Sequence, residues 1–378
     1  VTHWHLITGE YPPGCGGVGD HTRLLAQGLA QRGQSVTVWC SGAAATVETE
    51  GPVQVRRELG SLGLSDLRRA DASLTAQPTP RRLVVQWVPH AFGKRGVNVM
   101  VSRWLRRRVR RAGDQIEVII HEAYLGYGGG LKRRLAALVQ RWMLREVLAE
   151  AQRAWVVTTA WLPLVRPYAP RNLPLDWLPI PSNIPVVPQP EATAALRRSL
   201  CPEDGRLVGH FGTYGGHTQG LLLAGIRQLL GLEPDLHLLL LGKGGVAFRQ
   251  RLLHEGVGRP DRLHAPGELP ACDLSRYLAA CDVMMQPYCG GVSMRNGSLM
   301  ACLAHGRAVV ASRGWLTETF WREAAAIELV EEADCRGLAE RVVGLLRDPV
   351  RRRQLAAAAQ AVYQDRFALE HSLQRLLR

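Results

Sequence analysis

The sequence predicts two doubly wound α/β domains in series, each built on a parallel β-sheet. Three observations carry that expectation. Short apolar runs alternate with helical stretches at the spacing of βαβ units, which require parallel strands and right-handed crossovers. The rhythm stops over a proline-rich stretch and then starts again. Several of the runs, such as Leu236–Leu241, are apolar but for a single residue (His237 in this one), as befits strands covered on both faces. A chain of 378 residues is also too long for one ordinary core.

Taken in order, His3–Thr8 reads as the first strand and Gly14–Gly19 as a glycine loop. Asp20 is placed to cap a helix that runs through Leu24, Leu25, Gly28 and Leu29 and ends at Gly33. Val36–Trp39, Leu83–Trp87, Ile116–Ile120 and Ala154–Thr159 follow as strands, with a long helix over Leu131–Gln152. Pro163–Pro190 holds too many prolines for a helix and reads as a linker. The second half opens with a strand at Leu207–Phe211, a glycine loop at Gly212–Gly216 and a helix over Leu221–Leu230. Strands are expected at Leu236–Leu241, near Arg262–His264, at Val283–Gln286 and at Ala308–Ala311. Helices are expected at Val246–Glu255, Leu274–Ala280, Leu299–His305, Cys335–Leu346 and Val350–Leu377.

Composition is that of a globular protein, 46% hydrophobic and 21% charged. No apolar run approaches the roughly 20 residues of a membrane span, and no signal peptide is visible, so a soluble cytoplasmic chain is expected. The eight cysteines form no CxxC pair and no zinc spacing, and read as buried, reduced thiols. Charge is the unusual quantity: 47 Lys and Arg against 33 acids, a formal net of +14. Arg103, Arg106, Arg107, Arg108, Arg110 and Arg111 are interleaved with Trp104, Leu105 and Val109, and Lys132, Arg133 and Arg134 make a second cluster. Arg103–Arg111 is either a solvated helix face or a basic amphipathic helix for an anionic membrane surface, which would make the protein peripheral on the inner face. Nucleic acid is the weakest of the partners such charge attracts, for no helix-turn-helix, RNA-recognition or zinc-finger pattern is present.

The residues that can carry chemistry lie where strands end. Gly14, Gly16, Gly17 and Gly19 stand between the first strand and the first helix, where backbone amides and the helix dipole favour an anion; the alternative is a tight turn. In CGGVSMRNGSLMACLAHG a strand gives way to a polar loop and a small-residue helix. Ser293, Arg295, Asn296, Gly297, Ser298 and Leu299 surround that helix start, a good diphosphate site. Lys243, in LLLGKGG, follows an apolar strand and reads either as a phosphate ligand or as a solvated surface group. His121, followed by Glu122, ends a strand; it either lines a cleft or is a satisfied core residue. His90 is a weaker candidate of the same kind, and His210 reads as structural. There is no nucleophile elbow, no HExxH and no DxD, so no metal is expected to be required.

Together these motifs resemble glycosyltransferase family 4. YPPGCGGVGDHTRLLAQGLAQRG looks like the opening of such an enzyme, and HFGTYGG, LLLLGKGG, LAACDVMMQPY, LMACLAHGRAVVAS and Tyr363–Phe367 resemble its second half in the same order. The resemblance covers essentially the whole chain. It implies a GT-B fold, with two Rossmann-like domains facing a central cleft. An acceptor-binding domain over residues 1–184 would precede a nucleotide-sugar-binding domain over 185–360, and a helix over 361–378 would return to the first. It implies a retaining, metal-independent transfer of a hexose-like sugar from a UDP- or GDP-sugar, with no further cofactor. Carried over by residue, it sets His121 near the reacting sugar, Gly16 and Gly17 near the diphosphate and acceptor, and Gly212, Thr213 and the Ser293–Leu299 loop at the donor. The chain departs from the family at four places. Ser293 and Ala301 stand where two glutamates are usual, and Thr213 and Gln219 where an Arg and a Lys are usual. Arg295 and Lys243 are the cations available in their stead, and GVSMRNGSLM resembles a variant form of the family's loop. Two rivals follow: a GT-B protein that binds a nucleotide or partner without catalysis, and a nucleotide-sugar epimerase, for which the sequence offers few acids and bases.

Overall fold

The computed structural model describes residues 3–14, 16–93, 96–128 and 130–378, the His217 side chain apart; Cys15 lies outside the described residues. Two compact units divide the chain: residues 1–179 with 369–378, and residues 180–368.

The first unit is built on an eight-stranded sheet. Its strands are β1 (His3–Ile7), β2 (Ser35–Trp39), β3 (Val47–Glu50), β4 (Val53–Arg56), β5 (Arg81–Trp87), β6 (Gln115–Ile120), β7 (Arg153–Val156) and β8 (Leu175–Trp177), in the order β3-β4-β2-β1-β5-β6-β7-β8. All neighbours are parallel except β3 and β4, an antiparallel hairpin at the edge. Its helices are α1 (Gly17–Gln31), α2 (Leu64–Thr75), α3 (Val99–Ala112), α4 (Leu131–Leu148) and the single turn α5 (Leu162–Val165). β1 lies between β2 and β5, so the strand order reverses there; in open α/β sheets ligands bind at the carboxyl ends of the strands beside such a reversal.

The second unit holds six strands: β9 (Leu207–Phe211), β10 (His237–Leu241), β11 (Leu263–His264), β12 (Val283–Gln286), β13 (Ala308–Arg313) and β14 (Glu328–Glu331). They run β11-β10-β9-β12-β13-β14, all parallel, which is the 3-2-1-4-5-6 order of a dinucleotide-binding fold. Its helices are α6 (Pro190–Leu200), α7 (Gly216–Leu232), α8 (Gly245–His254), α9 (Ala271–Ala280), α10 (Gly297–Ala304), α11 (Thr319–Glu323), α12 (Cys335–Arg347) and α13 (Pro349–Arg366). Val208, Leu238, Leu240, Val283 and Met285 from the sheet pack with Ile226 and Leu338 from the helices.

The last helix, α14 (Leu369–Leu377), belongs to the first unit. The Ser372 hydroxyl donates to the Pro179 carbonyl at 2.8 Å, and Arg82 donates to the Leu376 carbonyl at 2.8 Å. The expected helix over Val350–Leu377 is therefore two. The break falls at Phe367, whose ring stacks on Trp321 with centroids 5.6 Å apart, and no glycine or proline marks it.

Other expectations shift as well. α1 starts at Gly17, so Asp20 lies inside its first turn rather than at the cap. The proline-rich stretch is more than a linker: it holds α5 and β8, and β8 pairs with β7. Not all cysteines are buried, for Cys272 and Cys289 are exposed; the seven described cysteines are free thiols. No helix among the described residues is long and apolar enough to cross a membrane.

Candidate functional site

In the second unit the strand order reverses between β9 and β12. β9 leads into Gly212 and Thr213, and β12 leads through Pro287 and Tyr288 to the start of α10. The topology thus brings Gly212, Thr213 and the Ser293–Leu299 loop to one end of one sheet. Lys243 follows β10, the neighbour of β9, at the same end. Thr213 and Lys243 are exposed and Arg295 is half-buried.

The loop is held by its own polar groups. Asn296 Oδ1 accepts from the Ser293 amide at 2.7 Å and from its hydroxyl at 3.2 Å, and the Asn296 amide returns to the Ser293 carbonyl at 3.1 Å. Below it lies Glu318, a buried carboxylate that accepts from the Met294 amide with both oxygens, at 3.1 and 3.2 Å, and from Trp321 Nε1 at 3.0 Å. Ser298 Oγ and the Tyr288 hydroxyl share a hydrogen bond of 2.9 Å. Side chains that the sequence offered as ligands therefore serve first as scaffold. Ser293 is fully buried and committed to Asn296, and Leu299 is a core residue. What the site presents outward is the amino end of α10: Gly297 has open space where a Cβ would stand. Helix-terminal amides and Arg295 there suit an anion.

The residues at one usual glutamate position, Ala301, and at the usual Lys position, Gln219, are both engaged within the chain. Ala301 is buried within α10, and Gln219 Nε2 donates to the Tyr214 carbonyl at 2.7 Å while its Oε1 accepts from Arg251 at 2.8 Å. His210 is structural in the way expected. Its Nδ1 donates to the Met285 carbonyl at 2.9 Å, and burial pushes the imidazole down to about 4. A carbonyl can only accept, so Nε2 is the bare nitrogen; it is buried with no partner.

In the first unit His121 follows β6 beside the point where strand order reverses. It is buried, and its Nε2 meets Gln86 Oε1 at 2.7 Å. His21, from α1, meets the His121 ring edge-on with centroids 5.2 Å apart. Burial lowers the His21 pKa to about 4, against the opposing pull of Gln86 beside it. His90 is exposed, with its Nε2 4.0 Å from Glu122.

The glycine loop holds a surprise for the sequence reading. Its anion is already present and belongs to the chain: Glu10 Oε1 accepts from the Val18 amide at 3.0 Å and the Gly19 amide at 3.1 Å. Gly16 leaves room for that carboxylate: a Cβ there would stand 2.3 Å from its Oε1, and Glu10 would have to shift. Of the four loop glycines, only Gly17 opens on free space. Glu10 was missed because it lies eight residues ahead of the amide it caps, with no helical spacing to announce it. Glu318 was missed for a like reason: it reaches the loop from 24 residues away.

The basic helix exists as α3, but its apolar face is spent. Val101, Trp104 and Leu105 are buried, as is Arg108, which pairs with Asp114 at 2.7 Å. Arg106 and Arg110 pair with acids of the α4 segment, Glu146 at 2.6 Å and Glu150 at 2.8 Å. Arg103, Arg107 and Arg111 remain as an exposed ridge. α3 is therefore not an amphipathic helix with a free apolar side.

Two parallel-sheet units of this kind, each with its ligand end at a reversal of strand order, define the GT-B class of proteins. The comparisons agree. Sucrose-phosphate synthase from Thermosynechococcus elongatus superposes with a TM-score of 0.78 at 17% identity, over 100% of this chain and 97% of that one. HepE from Anabaena in complex with UDP gives 0.69 at 16% identity, over 100% and 98%. The trehalose-6-phosphate protein of E. coli, bound with UDP-2-fluoro glucose, gives 0.67 at 11% identity, over 99% and 98%. These show the fold. Residues 206–348, within the second unit, match the family Glycosyl transferases group 1. Among curated proteins it is similar to the phosphatidyl-myo-inositol mannosyltransferases of Mycolicibacterium smegmatis and Mycobacterium leprae. The first is 28% identical over 165 residues (43% of this chain, 42% of that protein), the second 27% identical over 202 residues (53% and 52%). The matches span about half the length of those relatives.

Proposed function

We propose that the protein moves a sugar from a nucleoside diphosphate, UDP- or GDP-linked, to an acceptor held by the first unit, with retention of configuration and without a metal. The observation that carries this is the amino end of α10, open at Gly297, at the reversal of strand order in the second unit. The Gly297 and Ser298 amides, with Arg295 and Lys243, are the leaving-group stabilisers: they would take up negative charge as the glycosidic bond to the diphosphate breaks. Gly212 and Thr213 would line the same donor. His121, fixed by Gln86, would orient the sugar or the acceptor, and Gly16, Gly17 and Gly19 would shape the acceptor end above the Glu10 carboxylate. The acceptor is lipid-linked or presented at a membrane surface, a reading supported by the basic surface of the first unit and by the similarity to phosphatidyl-myo-inositol mannosyltransferases.

A thermal-shift panel of UDP-, GDP-, ADP- and dTDP-sugars in the presence of EDTA tests the donor reading. One nucleotide should raise the unfolding temperature selectively; no shift with any of the four would contradict it. A second reading, binding without transfer, is favoured by one observation: Ser293 and Ala301, at the usual glutamate positions, are both buried and neither is an acid. Donor binding with no release of nucleoside diphosphate in the presence of acceptor lipid extracts would select it.

A further inference from the structure

α4 carries a feature that sugar transfer does not use. Leu131, Leu135, Leu138 and Trp142 recur at i, i+4, i+7 and i+11, which at about 100° per residue places them on one narrow face. The inner face of the helix is accounted for: Ala137, Met143, Leu144 and Val147 are in the core. The outer face is not. Leu131 is 73% exposed, Leu135 53%, Leu138 51% and Trp142 39%. Four large apolar side chains in a row along roughly 16 Å of helix are far from the scattered single residues that surfaces tolerate.

The rim of this stripe is basic. Lys132, Arg134 and Arg145 are all exposed. Neither α3 nor α4 contains an acid other than Glu146, and Glu146 is engaged by Arg106. α3, which packs beside α4, adds its exposed Arg103 and Arg107. We infer that this outer face of α4 docks on an anionic lipid bilayer, with Leu135, Leu138 and Trp142 entering the headgroup boundary and the flanking cations meeting lipid phosphates. Apolar insertion and cation attraction act together at such an interface, and long Lys and Arg stems reach sideways to the headgroups while their neighbours insert. A second copy of this chain fits worse, because a two-fold contact would set Arg134 and Arg145 of one molecule against the same cations of the other. The inference rests on the membrane part of the proposed function and not on the donor site.

Flotation with phosphatidylcholine vesicles, with and without phosphatidylglycerol, tests it. Wild type should float with the anionic vesicles, and about tenfold less with neutral vesicles or at high salt. Leu138→Ser/Trp142→Ser and Arg134→Ser/Arg145→Ser should each lose about tenfold or more of that binding, and Arg134→Ser/Arg145→Ser, whose two side chains are exposed, should unfold at the temperature of wild type. Wild type left behind by anionic vesicles overturns the inference, as does a Leu138→Ser/Trp142→Ser protein that still floats. A wild-type dimer in sedimentation that this variant splits, with no vesicle binding, assigns the face to a second copy instead. UDP- and GDP-sugar binding, followed on the same samples, separates the two claims: flotation can fail with donor binding intact, and the reverse.

Discussion

Glu10 is the residue that most changes the picture of the first unit. A carboxylate at the amino end of α1 satisfies two amides that the helix cannot, and it meets the positive end of the helix dipole. Replacing it with alanine should cost about 0.5–2 kcal/mol of stability, read from denaturant unfolding. The buried histidines give a pH signature. His21 and His210 lie near 4 when folded against an ordinary 6.5, because burial disfavours the charged ring. The unfolded chain therefore binds protons that the native chain refuses, and native stability is full above pH 6.5. It falls as pH drops from 6.5 towards 4, by up to about 1.4 kcal/mol per pH unit for each histidine. The unfolding temperature should drop across that window, and His21→Gln should flatten the slope; a flat profile in wild type would contradict the burial of both rings. At this scale the sequence was a partial guide. Arg295, Lys243 and His121 stood out because each follows a strand, whereas Glu10 and Glu318 act through contacts that no local pattern encodes.

Elements were legible in proportion to how apolar and how long they are. β10 and β12 are buried at every position, and their runs can be read directly. β3 is exposed at three of its four positions and β14 has a glutamate at either end, so neither presents an apolar run to detect. The basic helix was legible as a helix but not as a packed one, because the burial of Arg108 depends on Asp71 and Asp114 from other elements. α14 shows how one glycine sets an element's place. Gly28 lies in the middle of α1, where a Cβ would stand 2.5 Å from Leu373 Cδ1. Gly28→Val should therefore loosen α14 and cost about 1–3 kcal/mol, as overpacking does. Leu373→Ala should return part of that loss if the two helices meet here, and a purely additive double variant would show that they do not.

For the molecule as a whole, the two-unit rhythm was visible because the βαβ pattern restarts after the prolines. Strand order was not visible, since it depends on which crossover lies where, and that order is what brings Gly212 and the α10 start to one end of one sheet. If the donor is held there, hydrogen exchange with a bound nucleotide sugar should slow over residues 212–216 and 289–300. The sheet of the first unit should change less. The most direct measurement is calorimetric titration of the selected UDP- or GDP-sugar into wild type and Arg295→Ala, in EDTA. A charge-assisted hydrogen bond to the diphosphate contributes about 1.5–3 kcal/mol, so the account predicts saturable binding that Arg295→Ala weakens by roughly tenfold or more. Binding that Arg295→Ala leaves unchanged, or no binding to wild type, would contradict it.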